Sequence, residues 1–181
     1  MRAFTTVALA SIIAAAQAAD ITCSNAVSDG ILNIYKNSLT GQMIPLTFDA
    51  SGGLVSGTSQ NIVEIVGCTS TYIGKPATTV SADKRTITVN GKVRSGSNCL
   101  SRVPSDGHLA LVACVDTDNS AQDNQFWSID LVYHEGDQAT GSDETLKFVK
   151  SGYYNHYTGG KVYESNSQPP STWLLTFSYV E

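Results

Sequence analysis

Beyond residue 18 the hydrophobic positions fall in short runs that alternate with polar ones. Leu32-Asn33-Ile34-Tyr35, Ile62 to Val66, Thr86 to Val89, Leu109 to Val112 and Trp127 to Tyr133 are the clearest. A period of two over four to eight residues, rich in β-branched and aromatic side chains, is the pattern of a half-buried strand. Between the runs lie turn clusters: Ser51-Gly52-Gly53, Asn90-Gly91, Asp106-Gly107, Glu135-Gly136-Asp137 and Thr158-Gly159-Gly160. Glycine there supplies positive φ, and Asn or Asp folds its side chain back onto the backbone. No helix-period stretch of useful length follows residue 18. About twelve short, regularly spaced strands predict an all-β sandwich or barrel.

Residues 1–18 have a different pattern. Met1-Arg2 gives a positive start, Val7 to Ala16 is apolar and small, and Ala16-Gln17-Ala18 is a small-x-small cleavage pattern. This combination predicts a signal peptide and hence a secreted, extracellular chain. No later run is apolar enough to span a membrane. Residues 19–181 then have the length of one domain. Loss of Arg2 takes the formal net charge from −5 to −6. That acidity excludes nucleic acid and anionic membrane as main partners, since both require clustered Lys and Arg. No Asn-x-Ser/Thr sequon occurs.

Cys23, Cys68, Cys99 and Cys114 all follow the cleavage pattern. Four cysteines in an exported chain imply two disulfides, with three connectivities. Pro104-Ser105-Asp106-Gly107 reads as a turn midway between Cys99 and Cys114, which folds these two together and leaves Cys23 with Cys68. No Cys pair has C-x-x-C spacing and no His lies beside one, so no metal is expected.

Two patterns repeat 46 residues apart. Val63-Glu64-Ile65-Val66-Gly67-Cys68 matches Leu109-Ala110-Leu111-Val112-Ala113-Cys114, and Gln125-Phe126-Trp127-Ser128-Ile129 matches Ser171-Thr172-Trp173-Leu174-Leu175. Arg85-Thr86-Ile87-Thr88-Val89 reads as a third copy of the second pattern, with Ile87 in the tryptophan position. Such a period marks supersecondary units that share one core. Ile87, Trp127 and Trp173 are therefore expected at equivalent buried positions.

The middle third carries a family resemblance. Gly91-Lys92-Val93, Cys99-Leu100, Leu109 to Cys114 and Gln125-Phe126-Trp127 follow, in order and spacing, the G-x-I/V, C-L, apolar-x-apolar-x-x-C and Q-x-W parts of a ricin-B-type repeat. In the first third Pro45-Leu46 replaces Cys-Leu, which redirects Cys68 to Cys23. In the last third Thr145-Leu146 and Ser165 replace the cysteines, and Ser171 replaces the Gln. The resemblance implies a β-trefoil of three repeats, roughly 19–90, 91–136 and 137–181. In it the Gln before the Trp satisfies backbone groups of a loop that has no ladder partners.

The same resemblance implies a lectin-like, carbohydrate-binding protein. A galactose-type pocket requires an acid after Cys-Leu, a Gln, an aromatic platform and an Asn-Gln pair. The middle repeat keeps Asn124 and Gln125 but has Ser101, Ala110 and Val112 at the other positions. The first repeat has Thr47, Glu64 and Val66, and the third has Lys147, Lys161 and Tyr163. The pocket is eroded. The third repeat alone keeps a ring, and Tyr153, Tyr154, Asn155, His156 and Tyr157 precede it, a mixture of flat faces and polar groups suited to a sugar. These residues with Tyr163, Asn124 and Gln125 form the expected ligand set.

Catalysis has no motif here. His108, His134 and His156 are scattered, and G-x-S-x-G, H-E-x-x-H and Gly-rich phosphate loops are missing. Asp116, Asp118, Asp143 and Glu144 sit in polar, turn-like stretches. No enzyme and no cofactor are expected. The competing expectation is a secreted protein-binding β-trefoil, such as a protease inhibitor, that uses the loops Asp116 to Asp123, Glu135 to Glu144 and Ser165 to Pro170.

Overall fold

The computed structural model of the chain describes residues 20–82, 86–132, 144–149 and 153–180. The expected signal peptide at residues 1–18, Arg85, Tyr133, His134, Asp143 and most of the Glu135 to Glu144 loop lie outside them. The alternating runs become thirteen strands: β1 (Thr22–Lys36), β2 (Met43–Phe48), β3 (Leu54–Ser56), β4 (Val63–Thr69), β5 (Thr78–Val80), β6 (Thr86–Ser95), β7 (Asn98–Arg102), β8 (Leu109–Ala113), β9 (Trp127–Val132), β10 (Glu144–Phe148), β11 (Tyr154–Thr158), β12 (Lys161–Ser165) and β13 (Trp173–Tyr179). Among the described residues one 3-10 turn occurs, at Ser120–Asn124. The fold is all-β.

Six strands close a barrel. β1 pairs with β4, β4 with β6, β6 with β9, β9 with β10, β10 with β13, and β13 returns to β1, all antiparallel. Closure removes the open edges on which a sheet would otherwise recruit other chains. A hairpin stands between each successive barrel pair: β2–β3, β7–β8 and β11–β12. The hairpins meet one another through Lys161↔Val55, Gly53↔Ala110 and His108↔Tyr163.

The period of two explains the core. In β9 Trp127, Ile129 and Leu131 are buried, while Ser128 and Asp130 are half-exposed. Leu32 and Ile34 of β1, Val63 and Ile65 of β4, and Leu175 and Phe177 of β13 join them. The hairpins cap this core from one end with Leu46, Leu54, Leu100, Leu109 and Val162. Each such side chain contributes about 1.5–3 kcal/mol by leaving water. β4 is buried on its other face as well, where Val66 and Cys68 pack with Ile21 and Phe126.

Two glycines are fixed by approach of backbone. Gly91 is flanked by Gly67 of β4 and Trp127 of β9, and a Cβ there would overlap the Val66 carbonyl. Gly107 has φ of 78°, and its carbonyl accepts from the Glu164 N–H at 2.8 Å. It ends the turn expected at Pro104–Gly107 and joins the β7–β8 hairpin to β12.

Both disulfides are formed. Cys23–Cys68 ties β1 to β4 at directly opposed positions, and Cys99–Cys114 closes the base of the β7–β8 hairpin. Three expectations need correction. The strand count is thirteen rather than about twelve, because Thr78–Val80 adds a short strand beside β6. The boundary between residues 90 and 91 cuts through β6. Ile87 does not share the position of the tryptophans: it lies in β6 opposite Leu131 of β9 and is half-buried, whereas Trp127 and Trp173 each open the strand that follows a hairpin. Only Trp127 is fully enclosed, with its indole N–H donated to the Leu100 carbonyl at 2.9 Å. Trp173 is half-buried.

Candidate functional site

The positions aligned with a galactose-type pocket do not form one. Ser101 and Ala110 face each other across β7–β8 and are both buried. Val66 is buried, Glu64 pairs with Arg94 at 2.7 Å, and Lys147 is engaged by Asp130 at 2.8 Å. Gln125 is buried and committed: its Oε1 accepts from the Val115 N–H at 2.8 Å and its Nε2 donates to the Ala113 carbonyl at 2.9 Å. Gln122 donates to the Val115 and Thr117 carbonyls, and the Lys92 ammonium also donates to that of Val115. Burial pulls the Lys92 ammonium below its ordinary pKa, against the opposing pull of Asp116. The loop before β9 thus engages both ends of Gln125 and the Nε2 of Gln122, whose Oε1 stays buried without a partner. Asn124 ends the 3-10 turn, half-exposed.

The ring-rich hairpin splits into two faces, as its period of two requires. Asn155 and Tyr157 share a face with Glu164 and Val162, whereas Tyr154 and His156 share the other with Ser165 and Tyr163. Tyr157 turns toward the core and packs on Trp173, with ring centroids 5.1 Å apart. Tyr153 lies under the Arg102 guanidinium at 4.9 Å. His156 Nε2 donates to the Ser167 carbonyl at 2.8 Å, which holds the segment after β12. Tyr163 is half-buried beside His108. The expected set therefore does not converge as a whole.

A cleft of about 120 Å³ opens where β11, the segment after β12 and the start of β13 meet. Tyr154, Asn155, Gln168, Pro169, Thr172 and Trp173 line it. Tyr154 and Asn155 belong to the expected set. Gln168 and Pro169 come from the loop proposed for protein binding, and Trp173 was assigned to the core. Two aromatic rings, two amides and a hydroxyl offer flat apolar faces beside groups able to read sugar hydroxyls. No family model matches the chain, and no curated protein or solved structure matches it either. The cleft thus stands on its own chemistry. Among the described residues no group of three or more His, Cys, Asp or Glu is placed to hold a metal ion, and no helix is long and apolar enough to cross a membrane.

Behind the cleft, Glu164 is 3% exposed and its Oε2 has no hydrogen-bond partner. Its cross-strand neighbour Asn155 likewise buries an unpartnered Oδ1. Burial pushes the Glu164 carboxyl up to about 7, against the opposing pull of Arg102. A raised folded-state value means that the native protein holds this proton when the unfolded chain has released it. Stability is therefore expected to fall as pH rises from about 4.5 to about 7, by about 3 kcal/mol. Asp49, Asp106, Asp118 and Asp130 are held below their ordinary values, mainly by hydrogen bonds that outweigh desolvation at the last two, so they act only at more acid pH. Urea unfolding at pH 5 and pH 8 should show the loss in the native chain, and Glu164→Gln should remove it. Equal pH dependence in both would place the titration elsewhere.

Proposed function

We propose that this is a secreted, lectin-like carbohydrate-binding protein of ricin-B type, built on a β-trefoil, whose sugar site is the cleft between β11 and β13. The six-stranded barrel with three interposed hairpins supports the trefoil reading, and the two disulfides are compatible with an extracellular protein. The single observation that carries the function is the cleft, lined by Tyr154, Asn155, Gln168, Thr172 and Trp173. Apolar sugar faces stack on rings while amides and hydroxyls fix the orientation. This role is binding rather than catalysis, and it leaves the eroded galactose-type positions to structure.

A protein-binding role draws on a different feature. Asp118 accepts from Ser70, Thr71 and the Tyr72 N–H, which fixes the Asp116 to Asp123 loop beside a half-exposed Tyr72 ring. A glycan array beside a protease panel separates the two. The expected result is glycan binding that Tyr154→Ala weakens by about tenfold, or about 1.4 kcal/mol, and that Tyr163→Ala leaves unchanged. Tyr154 is 44% exposed, so its loss should spare the fold. Inhibition of a protease with no glycan response would overturn the proposal.

A further inference from the structure

Among the described residues no carboxylate lines the cleft, Glu164 being buried behind it, although the chain is acidic with a net charge of −5. A cation stands at its edge instead. Lys36 is directly opposite Trp173 in the β1–β13 register, is exposed, and holds its ammonium 6.0 Å from the Trp173 ring centroid. The backbone at this lip is fixed, because the Asn37 N–H donates to the Thr172 carbonyl at 2.7 Å and the Lys36 N–H to that of Gln42 at 3.3 Å. Three other cations are paired with acids, Lys92 with Asp116, Arg94 with Glu64 and Lys147 with Asp130. Lys36 forms no ion pair among the described residues.

The remaining polar groups point the same way. Asn155, Gln168 and Thr172 supply amide and hydroxyl groups that both donate and accept, and none of them carries a charge. Neutral sugars are rich in O–H donors and need strong acceptors, which a carboxylate supplies best. A cleft with an uncharged lining and a cation at its lip suits a ligand that carries the carboxylate itself.

We propose that the cleft takes an acidic saccharide, a uronate or sialate unit, whose ring lies against Tyr154 and Trp173 while its carboxylate pairs with Lys36. This deepens the carbohydrate reading and rests on it. The test is calorimetric titration of the full chain with trigalacturonate and with its methyl ester, which keeps the rings and removes the charge. A second arm compares 3′-sialyllactose with lactose, and the arm that responds identifies the acid. The expected preference for the acid is about fivefold, the size of an exposed ion pair, and it should shrink in high salt. Lys36→Gln should abolish the preference and Lys36→Arg should retain it. Equal affinity for acid and uncharged form in both arms, or a preference that survives Lys36→Gln, would overturn the assignment. Binding of neutral sugars that Tyr154→Ala still weakens would leave the carbohydrate reading standing without this one. Binding of no saccharide would overturn both.

Discussion

Trp127→Ala should destabilise the chain by about 3–5 kcal/mol, the cost of replacing a large enclosed aromatic by a methyl group. Trp127 is fully enclosed among barrel and hairpin side chains, so the vacated volume has no route to solvent. The change also strips the Leu100 carbonyl of its donor, 2.9 Å away, in a buried setting where an unmade hydrogen bond is itself costly. Trp173→Ala is expected to cost clearly less, because that ring is half-buried and borders the cleft. Denaturant titration of both variants checks the contrast. Equal losses would show that the two rings are enclosed alike.

Removing the Cys23–Cys68 bond by paired serine substitution is expected to cost about 4 kcal/mol in the chain-entropy treatment, for a sequence separation of 45. Cys99–Cys114, with a separation of 15, closes a shorter loop and should cost about 3 kcal/mol. The longer bond has a further job. From Thr22 to Val27 the first part of β1 is exposed, and its register against β4 shifts between Cys23 and Ala26 and again before Ser28. Burial holds that segment weakly, and the crosslink holds it firmly. Amide exchange in the double variant should speed up from Thr22 to Val27 first. Unchanged protection there would assign the anchoring to the strand pairing alone.

The sequence was most legible where one local rule decides the structure. Alternation at Trp127–Leu131 predicts which side chains enter the core, and the Pro104–Gly107 turn predicts which sulfurs meet. The structural duty of Gln125 came instead from the resemblance to a Q-x-W repeat, in which that amide serves a loop without ladder partners. What failed was long-range. Ile87 fits the spacing of a tryptophan slot, yet a spacing match does not reveal whether a strand enters or leaves a hairpin. Alternation separates Tyr154 and His156 from Asn155 and Tyr157, but it does not say which pair faces the core. Gln168 was legible only as part of the Ser165 to Pro170 loop, and Thr172 has no local signal at all. They matter only because His156 grips the Ser167 carbonyl and the chain then returns into β13 beside β11.

The pairing of β1 with β13 has a consequence for how the molecule is made. The barrel's first strand finds its second neighbour in the last, with Leu32 opposite Phe177 and Ile34 opposite Leu175. Until β13 has emerged from the ribosome, Leu32 and Ile34 have one flank uncovered, and the nascent chain carries an unpaired strand edge. Contacts this distant in sequence are slow to form, and the species that wait for them are prone to associate. Cys23 and Cys68 both emerge early, so oxidation can fasten β1 to β4 before closure. The staple would then act as a guard during synthesis as well as a brace afterwards.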